Sequence, residues 1–549
     1  MDPTWTGRRQ AGRMLTTKRT TFRHPRGVAR RRRRLLGSLS AVVAVLVALS
    51  LNAPPSLAGT TPTAGGTGPV ATDTTGGWNG RIDWQACPEQ PDDPGTRCGA
   101  LRLPVDWARP GGETFPLALA RRPATDPAAR IGVLVFNPGG PGLSGVDVAL
   151  TAASQLGPDV LRRFDIVGFD PRGTVRSAPV RCSSELLGQH PSLTPANAAE
   201  FERLRTYNRQ LRDDCRAHSG PLFDHLDSVS VARDTDAIRA ALGERQLSFY
   251  QWSYGTLIGQ SYAELFPDRV RALVMDSVMD HSQGVREYFR SGAASNEALF
   301  HEFVTWCERN PGCALHGRDV PALYDQLMRR ADAGTLLDAA TGTPLTWFEL
   351  GFATFVNFFD ATWADLANML LALERGEPAS LASPMVPVDG DKDLTEYALP
   401  AFCQDWSLPV DGFADWNRYL DLSRAAAPHL RASPLAVRFG AICLGWTATN
   451  PQHQLRVRTS APLLVLNGRY DPATPYDGAQ QVVRQLGSRG HLVTYEGSGH
   501  ASYPRTECTR RQVGAVPHHQ NHTADRSELP GRPGLTGRHR HGDAPAHGR

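Results

Sequence analysis

The chain has 549 residues and a net charge of +4, enough length to bury a large core and to hold more than one domain. The charge is uneven: residues 1–34 carry twelve basic residues and one acid, residues 509–549 are net +4, and 35–508 are net −11. An acidic body argues against nucleic acid as the main ligand and is compatible with cationic ligands such as a peptide α-amine.

Arg30 to Arg34 precede an apolar run from Leu35 to Leu51, and Ser56-Leu57-Ala58 follows with small residues. This is the basic, apolar and small-residue order of an export signal, which the pattern places over residues 1–58. The apolar run falls short of the roughly 20 residues that span a bilayer. The expectation is therefore a cleaved signal, no stable membrane span afterwards and a secreted protein; an N-terminal anchor at the cell surface is the alternative. Residues 59–80 are rich in Gly, Thr, Pro and Ala and read as a flexible linker.

From Ile82 the pattern becomes globular. Leu101–Val105 and Phe115–Ala120 alternate like strands. Ile131–Phe136 is a continuous apolar run that suits a strand covered on both faces, and it ends in Asn137-Pro138-Gly139-Gly140-Pro141-Gly142. Phe164–Phe169 predicts the next strand, leading into Asp170-Pro171-Arg172-Gly173, and Val231–Leu242 reads as a helix. Leu247–Tyr250 is β-prone and Gly255–Gly259 can open a helix, with Ser253 at the join. Val270–Met275 predicts another strand. Residues 281–455 change character, with helical spacing of Leu, Phe and Trp, before strand-like Pro462–Leu466 and Leu492–Tyr495. Strands alternating with helices predict a mostly parallel, doubly wound α/β sheet. The late strands place the 281–455 segment as a helical cap inserted into that sheet: core at 81–280, cap at 281–455, core again at 456–508.

The nine cysteines of an exported chain are expected to form disulfides. Proximity suggests Cys87 with Cys98, Cys182 with Cys215, Cys307 with Cys313 and Cys403 with Cys443, which leaves Cys508 alone; sequence by itself does not fix the connectivity. No Cys/His cluster has zinc spacing, so neither a metal nor a cofactor is expected.

Three residues stand in order on strand-ending turns: Ser253, then Asp471 in Asn467-Gly-Arg-Tyr-Asp471-Pro-Ala-Thr-Pro475, then His500 in Glu496-Gly-Ser-Gly-His500. A serine hydroxyl needs an imidazole to take its proton, and a carboxylate to hold the imidazole tautomer and stabilise the imidazolium. The serine on a strand-to-helix turn and the order Ser, Asp, His are those of an α/β-hydrolase fold. The expected oxyanion donors are the N–H of Tyr254 and one from Gly139 or Gly140.

With Trp84-x-x-Cys87, the Asn-Pro-Gly-Gly-Pro-Gly142 loop, Asp-Pro-Arg-Gly173, Val231-Ala-Arg-Asp234, Ser253-Tyr-Gly-Thr256, the Trp306-Cys307 to Cys313 segment, Asp471-Pro-Ala-Thr-Pro475 and Gly499-His500, residues 81–508 resemble the secreted tripeptidyl aminopeptidase branch of the α/β-hydrolases, related to proline iminopeptidases. The resemblance implies a serine exopeptidase that removes short peptides or single residues from a free N-terminus. It also implies acids on the cap or sheet rim that hold the substrate amine, for which Asp280, Glu302 and Asp405 are candidates. Two departures stand out. Gln251 replaces the usual first glycine of the elbow, where strand and helix cross closely. Residues 509–549, rich in Pro, Gly, Arg and His, depart from the family's closing helix and last cysteine and read as a disordered, frame-shifted tail. An esterase or amidase of small substrates, and an inactive peptide-binding member, are the competing readings.

Overall fold

A computed structural model describes residues 80–93, 95–379, 381–383, 392–515 and 528–529. The expected export signal, the linker before Gly80 and most of the tail lie outside these residues. The main sheet is built from β1 (Gln85–Ala86), β2 (Arg97–Pro104), β3 (Thr114–Arg122), β4 (Gly132–Asn137) and β5 (Phe164–Phe169). A short β6 (Arg181–Ser183) follows outside it, then β7 (Leu247–Trp252) and β8 (Val270–Asp276). After β9 (Leu394–Glu396) come β10 (Leu463–Tyr470), β11 (Gly490–Ser498) and β12 (Glu528–Leu529). The main-sheet order is β1-β2-β3-β5-β4-β7-β8-β10-β11-β12. The first strands pair antiparallel, and everything from β5 through β4 to β12 pairs parallel.

The continuous apolar runs make sense in this sheet because both faces are covered. Val133 and Val135 of β4 join one core with Phe249, Leu273 and Val465. Leu134 and Phe136, one step out of phase, join the other core with Tyr250, Val274, Leu464 and Leu466. Period-2 alternation thus splits one apolar run between two cores.

Among the described residues, seven helices fall between β8 and β10, from Val285–Arg309 to Pro434–Ile442. They hold two cores. One gathers Phe300, Phe303, Tyr324, Phe358 and Leu370. The other gathers Phe289, Phe402, Trp406, Trp416 and Phe439, and reaches Tyr254 and Leu257 beside Ser253. Part of the excursion after β5 packs into this second core. Phe201, Leu204 and Leu211 of helix Ala198–Ser219 pack into it. β6 pairs with β9 in a separate two-stranded sheet. Hydrophobic period alone could not show this, because a helix face that packs on a cap reads like one that packs on a sheet.

Disulfides join Cys87–Cys98, Cys182–Cys215, Cys307–Cys313 and Cys403–Cys443. Cys508 is free and half-buried. It lies in helix Glu507–Ala515, which carries Val513 into the core that holds Phe136 and Tyr250. The expected break after 508 therefore falls inside a helix, and the closing helix runs to Ala515. Its single core valine gives little apolar periodicity to read.

Candidate active site

Ser253 follows β7 directly, with φ +58°. A non-glycine residue in the left-handed region is strained and persists only when its surroundings hold it. Here they do. Ser253 N–H donates to the Asp276 carbonyl at 3.0 Å, and Thr256 N–H donates back to the Ser253 carbonyl at 2.9 Å. Helix Gly255–Leu265 starts at once.

Gln251 is fitted into the crossing rather than excluded from it. It is buried, its Nε2 donates to the Val135 carbonyl at 3.3 Å, and a Cβ placed on Gly259 would lie 2.9 Å from Gln251 Cγ. Gly259 of the helix supplies the space that a glycine at 251 would otherwise leave.

The oxyanion loop packs against the elbow. A Cβ on Gly139 would stand 2.5 Å from the Trp252 carbonyl and 2.9 Å from Tyr254 N, so only glycine fits there, at φ +87°. Gly139 N–H is committed to Asn137 Oδ1 at 2.9 Å. The N–H groups of Gly140 and Tyr254 have no acceptor within the described residues. Of the two glycines, Gly140 is the one with a donor to offer.

Asp471 and His500 are both buried and joined by His500 Nδ1 to Asp471 Oδ1 and Oδ2 at 2.9 and 3.0 Å. Burial would push the Asp471 carboxyl up. The His500 charge and hydrogen bonds from His500, Ser277 and Thr474 outweigh that and hold it below the usual carboxylate range. His500 Nε2 is buried and has no hydrogen-bond partner among the described residues. It is not bonded to Ser253 Oγ, a contact that commonly tightens only with substrate bound. Trp252, next to Ser253, has its ring 6.3 Å from the imidazole. The carboxylate of Asp276, whose carbonyl holds Ser253, accepts N–H bonds from Ser502 and Tyr503 at 2.8–3.1 Å. One residue therefore ties the nucleophile turn to the histidine loop.

Several participants carry no sequence signal. Ser277, at φ +55°, donates to Asp471 Oδ2 at 2.6 Å and accepts from Ala501 N–H at 2.9 Å. Arg505 spans the histidine loop and the end of cap helix Trp347–Asp360, reaching the carbonyls of His500, Ala501, Phe359 and Asp360 at 2.8–3.1 Å. His500 N–H also donates to the Phe359 carbonyl at 2.9 Å, and the Phe359 ring lies 4.4 Å from the imidazole. A serine or arginine in a loop is common, and only the folded chain gives these their partners.

Arg172 of the Asp-Pro-Arg-Gly turn forms a buried two-point ion pair with Asp234, Nε to Oδ2 at 2.7 Å and Nη2 to Oδ1 at 2.6 Å. Asp170 accepts from Ser144 Oγ at 2.5 Å and from Val146 N–H at 3.2 Å, steadying the helix that follows the oxyanion loop. Both arrangements buttress the site from behind.

The three acids considered for the substrate amine have separate partners. Asp280 accepts from Ser282 and Gln485 and lines a small cavity with Thr474 and Trp406. Glu302 is half-buried and bonds Tyr470, whose phenol is pushed up to about 12 by burial and by that carboxylate. Asp405 is wholly buried beneath the elbow, where it takes Tyr254 OH, Ser228 N–H at 3.0 Å and Asn450 Nδ2 at 2.7 Å. Its oxygens are filled by the protein, which places it as a strut under Tyr254 rather than at a substrate amine.

The alpha/beta hydrolase fold family matches residues 132–334, and a family described as TAP-like protein matches 432–515, including the closing helix. Serine protease Hip1 of Mycobacterium tuberculosis is 32% identical over 456 residues, 76% of this chain and 85% of that one. Tripeptidyl aminopeptidase of Streptomyces coelicolor is 30% identical over 450 residues, 76% of this chain and 80% of that one. Carboxylesterase B of Mycobacterium tuberculosis is 33% identical over 524 residues, 88% of this chain and 96% of that one. The extent of these matches, on both sides of the cap, makes this chain a member of the TAP-like α/β-hydrolases and a serine hydrolase.

Proposed function

We propose that this is a secreted serine exopeptidase that removes short peptides or single residues from free N-termini through an acyl-enzyme on Ser253. The observation that carries the reading is the strained Ser253 turn beside an Asp471–His500 pair whose Nε2 is unengaged. Ser253 Oγ attacks the scissile carbonyl while His500 Nε2 takes its proton. The oxyanion forms against the N–H groups of Gly140 and Tyr254. His500 then gives the proton to the departing amine, the C–N bond breaks and the acyl-enzyme remains. Water, deprotonated by His500, hydrolyses it and restores the serine. Asp471, held ionised, stabilises the imidazolium in both halves.

The relatives named as a serine protease and a tripeptidyl aminopeptidase support a peptide substrate. The basic-apolar N-terminal pattern and four disulfides support export, and no helix among the described residues is long and apolar enough to cross a membrane. A fluorophosphonate probe is expected to label the protein, with labelling abolished in Ser253→Ala. Tripeptidyl p-nitroanilides with a free amine are expected to be cleaved and their N-acetylated forms spared. The relative named carboxylesterase B favours an esterase as the second reading; equal turnover of blocked and free substrates would establish it. A folded protein that takes no label would be an inactive binder.

A further inference from the structure

The two open N–H groups, of Gly140 and Tyr254, both belong to segments that rest against one stretch of the cap, residues 398–405. On one side, a Cβ built on Gly142 would stand 2.5 Å from Ala398 Cβ, so the oxyanion loop and the cap meet without room between them. On the other, the Tyr254 ring is buried in the cap core. Its hydroxyl donates to the Asp405 carboxylate and lies 3.3 Å from the Ala401 carbonyl. Tyr254 carries an oxyanion donor on its backbone, so whatever holds its side chain also aims that N–H.

The stretch is itself pinned. Tyr397 N–H donates to the Val180 carbonyl at 2.9 Å. Gln404 accepts from Leu226 N–H at 2.7 Å and donates to the Phe223 carbonyl at 2.6 Å. Cys403 is joined to Cys443 in the neighbouring helix Pro434–Ile442 and its cap.

Asp405 closes this arrangement with a charge. Besides Tyr254 OH it accepts from Ser228 N–H at 3.0 Å, Ser228 Oγ at 2.9 Å and Asn450 Nδ2 at 2.7 Å. The titratable groups around it are the Asp227 carboxylate, the Tyr254 phenol and His281, whose Nε2 bonds the Asp405 carbonyl. Burial holds the phenol protonated and lowers the imidazole to about 4, so none of the three is a cation at neutral pH. Burial, and then Asp227, push the Asp405 carboxyl up to about 6, which leaves it ionised at pH 7. Stability alone would favour a neutral side chain there. A carboxylate is the group that offers two acceptor oxygens and no donor, which is what these four donors require.

We propose that Asp405 is a positioning residue for the reaction: through the Tyr254 hydroxyl it fixes the Tyr254 N–H, and residues 398–405 act as a clamp on both halves of the oxyanion hole. The proposal rests on serine-hydrolase chemistry at Ser253 and applies to a peptide or an ester substrate. Oxyanion donors act on the tetrahedral intermediate rather than on the ground-state carbonyl. Loosening the clamp therefore lowers kcat and leaves KM in place.

The test uses the full chain with Tyr254→Phe, with Asp405→Asn and with both. Tyr254→Phe keeps the ring and the backbone N–H and loses only the hydroxyl, so it decides the matter if Asp405→Asn does not fold. Initial rates are read on a free-amine tripeptidyl p-nitroanilide, or on p-nitrophenyl acetate if the protein is an esterase. Inhibition by a tripeptide aldehyde, whose adduct with Ser253 places its oxygen in the hole, is compared with that by the matching alcohol, which forms no adduct. Each single variant is expected to lower kcat about tenfold, short of the about 10²- to 10³-fold lost when a donor is removed outright, with KM unchanged. The aldehyde is expected to weaken by a similar factor and the alcohol to bind as before. The double variant should fall no further than the worse single, because both break one bond. Folded single variants with wild-type kcat assign the bond to cap structure and overturn the proposal. A loss confined to KM, equal weakening of aldehyde and alcohol, or additive losses in the double variant overturn it as well. If fluorophosphonate labels the wild type and the variants match it in rate, the positioning role falls and the serine hydrolase stands; a wild type that takes no label removes the proposed function, and the positioning role with it.

Discussion

Arg172 in the sheet domain and Arg438 in the cap are both buried, at 1% and 6% exposure, yet their surroundings share almost nothing. Arg172 meets both oxygens of Asp234 and the carbonyls of Val105, His225 and Pro104. Arg438 meets an aromatic face. The buried acids divide the same way. Asp471 is opposed by His500 and held low, whereas Asp405 of the cap has no counter-ion among the described residues and a pKa raised to about 6, by burial first and then by the nearby Asp227 charge. In the sheet, Arg172 and Asp471 are each held by an opposite charge that also fixes their geometry. In the cap, Arg438 and Asp405 have no opposite charge beside them among the described residues, and a buried acid without one is free to titrate.

Four measurements sharpen or break this contrast. The largest effect is expected from Asp471→Asn, which leaves the loop in place but removes the charge that selects the His500 tautomer. Hydrolysis should fall by about 10⁴-fold in kcat, and a loss under tenfold would show that the pair is not catalytic. Next, Arg172→Met strands a buried Asp234 carboxylate and should cost about 3–5 kcal/mol in denaturant unfolding. Adding Asp234→Leu should recover most of it, and an additive double variant would refute the pairing argument.

The third concerns Asp405. Its pKa is higher folded than unfolded, so its contribution to stability is present in full below the unfolded value of about 3.9 and is lost as pH rises through about 6. About two pKa units correspond to about 3 kcal/mol. Asp405→Asn should flatten the fall in wild-type stability between pH 4 and pH 7, followed by urea titrations across that range; an unchanged slope would place the titration elsewhere. The smallest effect is Ser277→Ala. It removes the 2.6 Å bond to Asp471 and leaves Ala501 N–H without its acceptor. It should lower kcat about tenfold with KM little changed, read from initial rates on a free-amine tripeptidyl p-nitroanilide.

Much of the sheet was readable because its strands carry physics locally. The runs at 131–136, 164–169 and 270–275 are apolar on both faces, and a parallel strand between two cores requires that. Ser253, Asp471 and His500 were readable because each ends a strand in a turn of recognisable composition. What helix Ala198–Ser219 packs on was not readable, since its core face does not name its partner. Gln251 posed a steric problem that only Gly259, eight residues along the chain, resolves. Asp405 was considered for a substrate amine because an acid in a cap segment can face outward or inward. Its contacts with Tyr254, Ser228 and Asn450 settle the direction.

The sequence by itself determined the α/β alternation, the order of the three strand-end residues and the loop of glycines before them. Each depends on period, turn chemistry and spacing within some ten residues. Only the tertiary structure decided which glycine N–H lies open, which serine braces Asp471 and which of two buried arginines has a partner. The last two are contacts between residues 194 and 62 positions apart in the chain, and no local pattern encodes a partner at that distance.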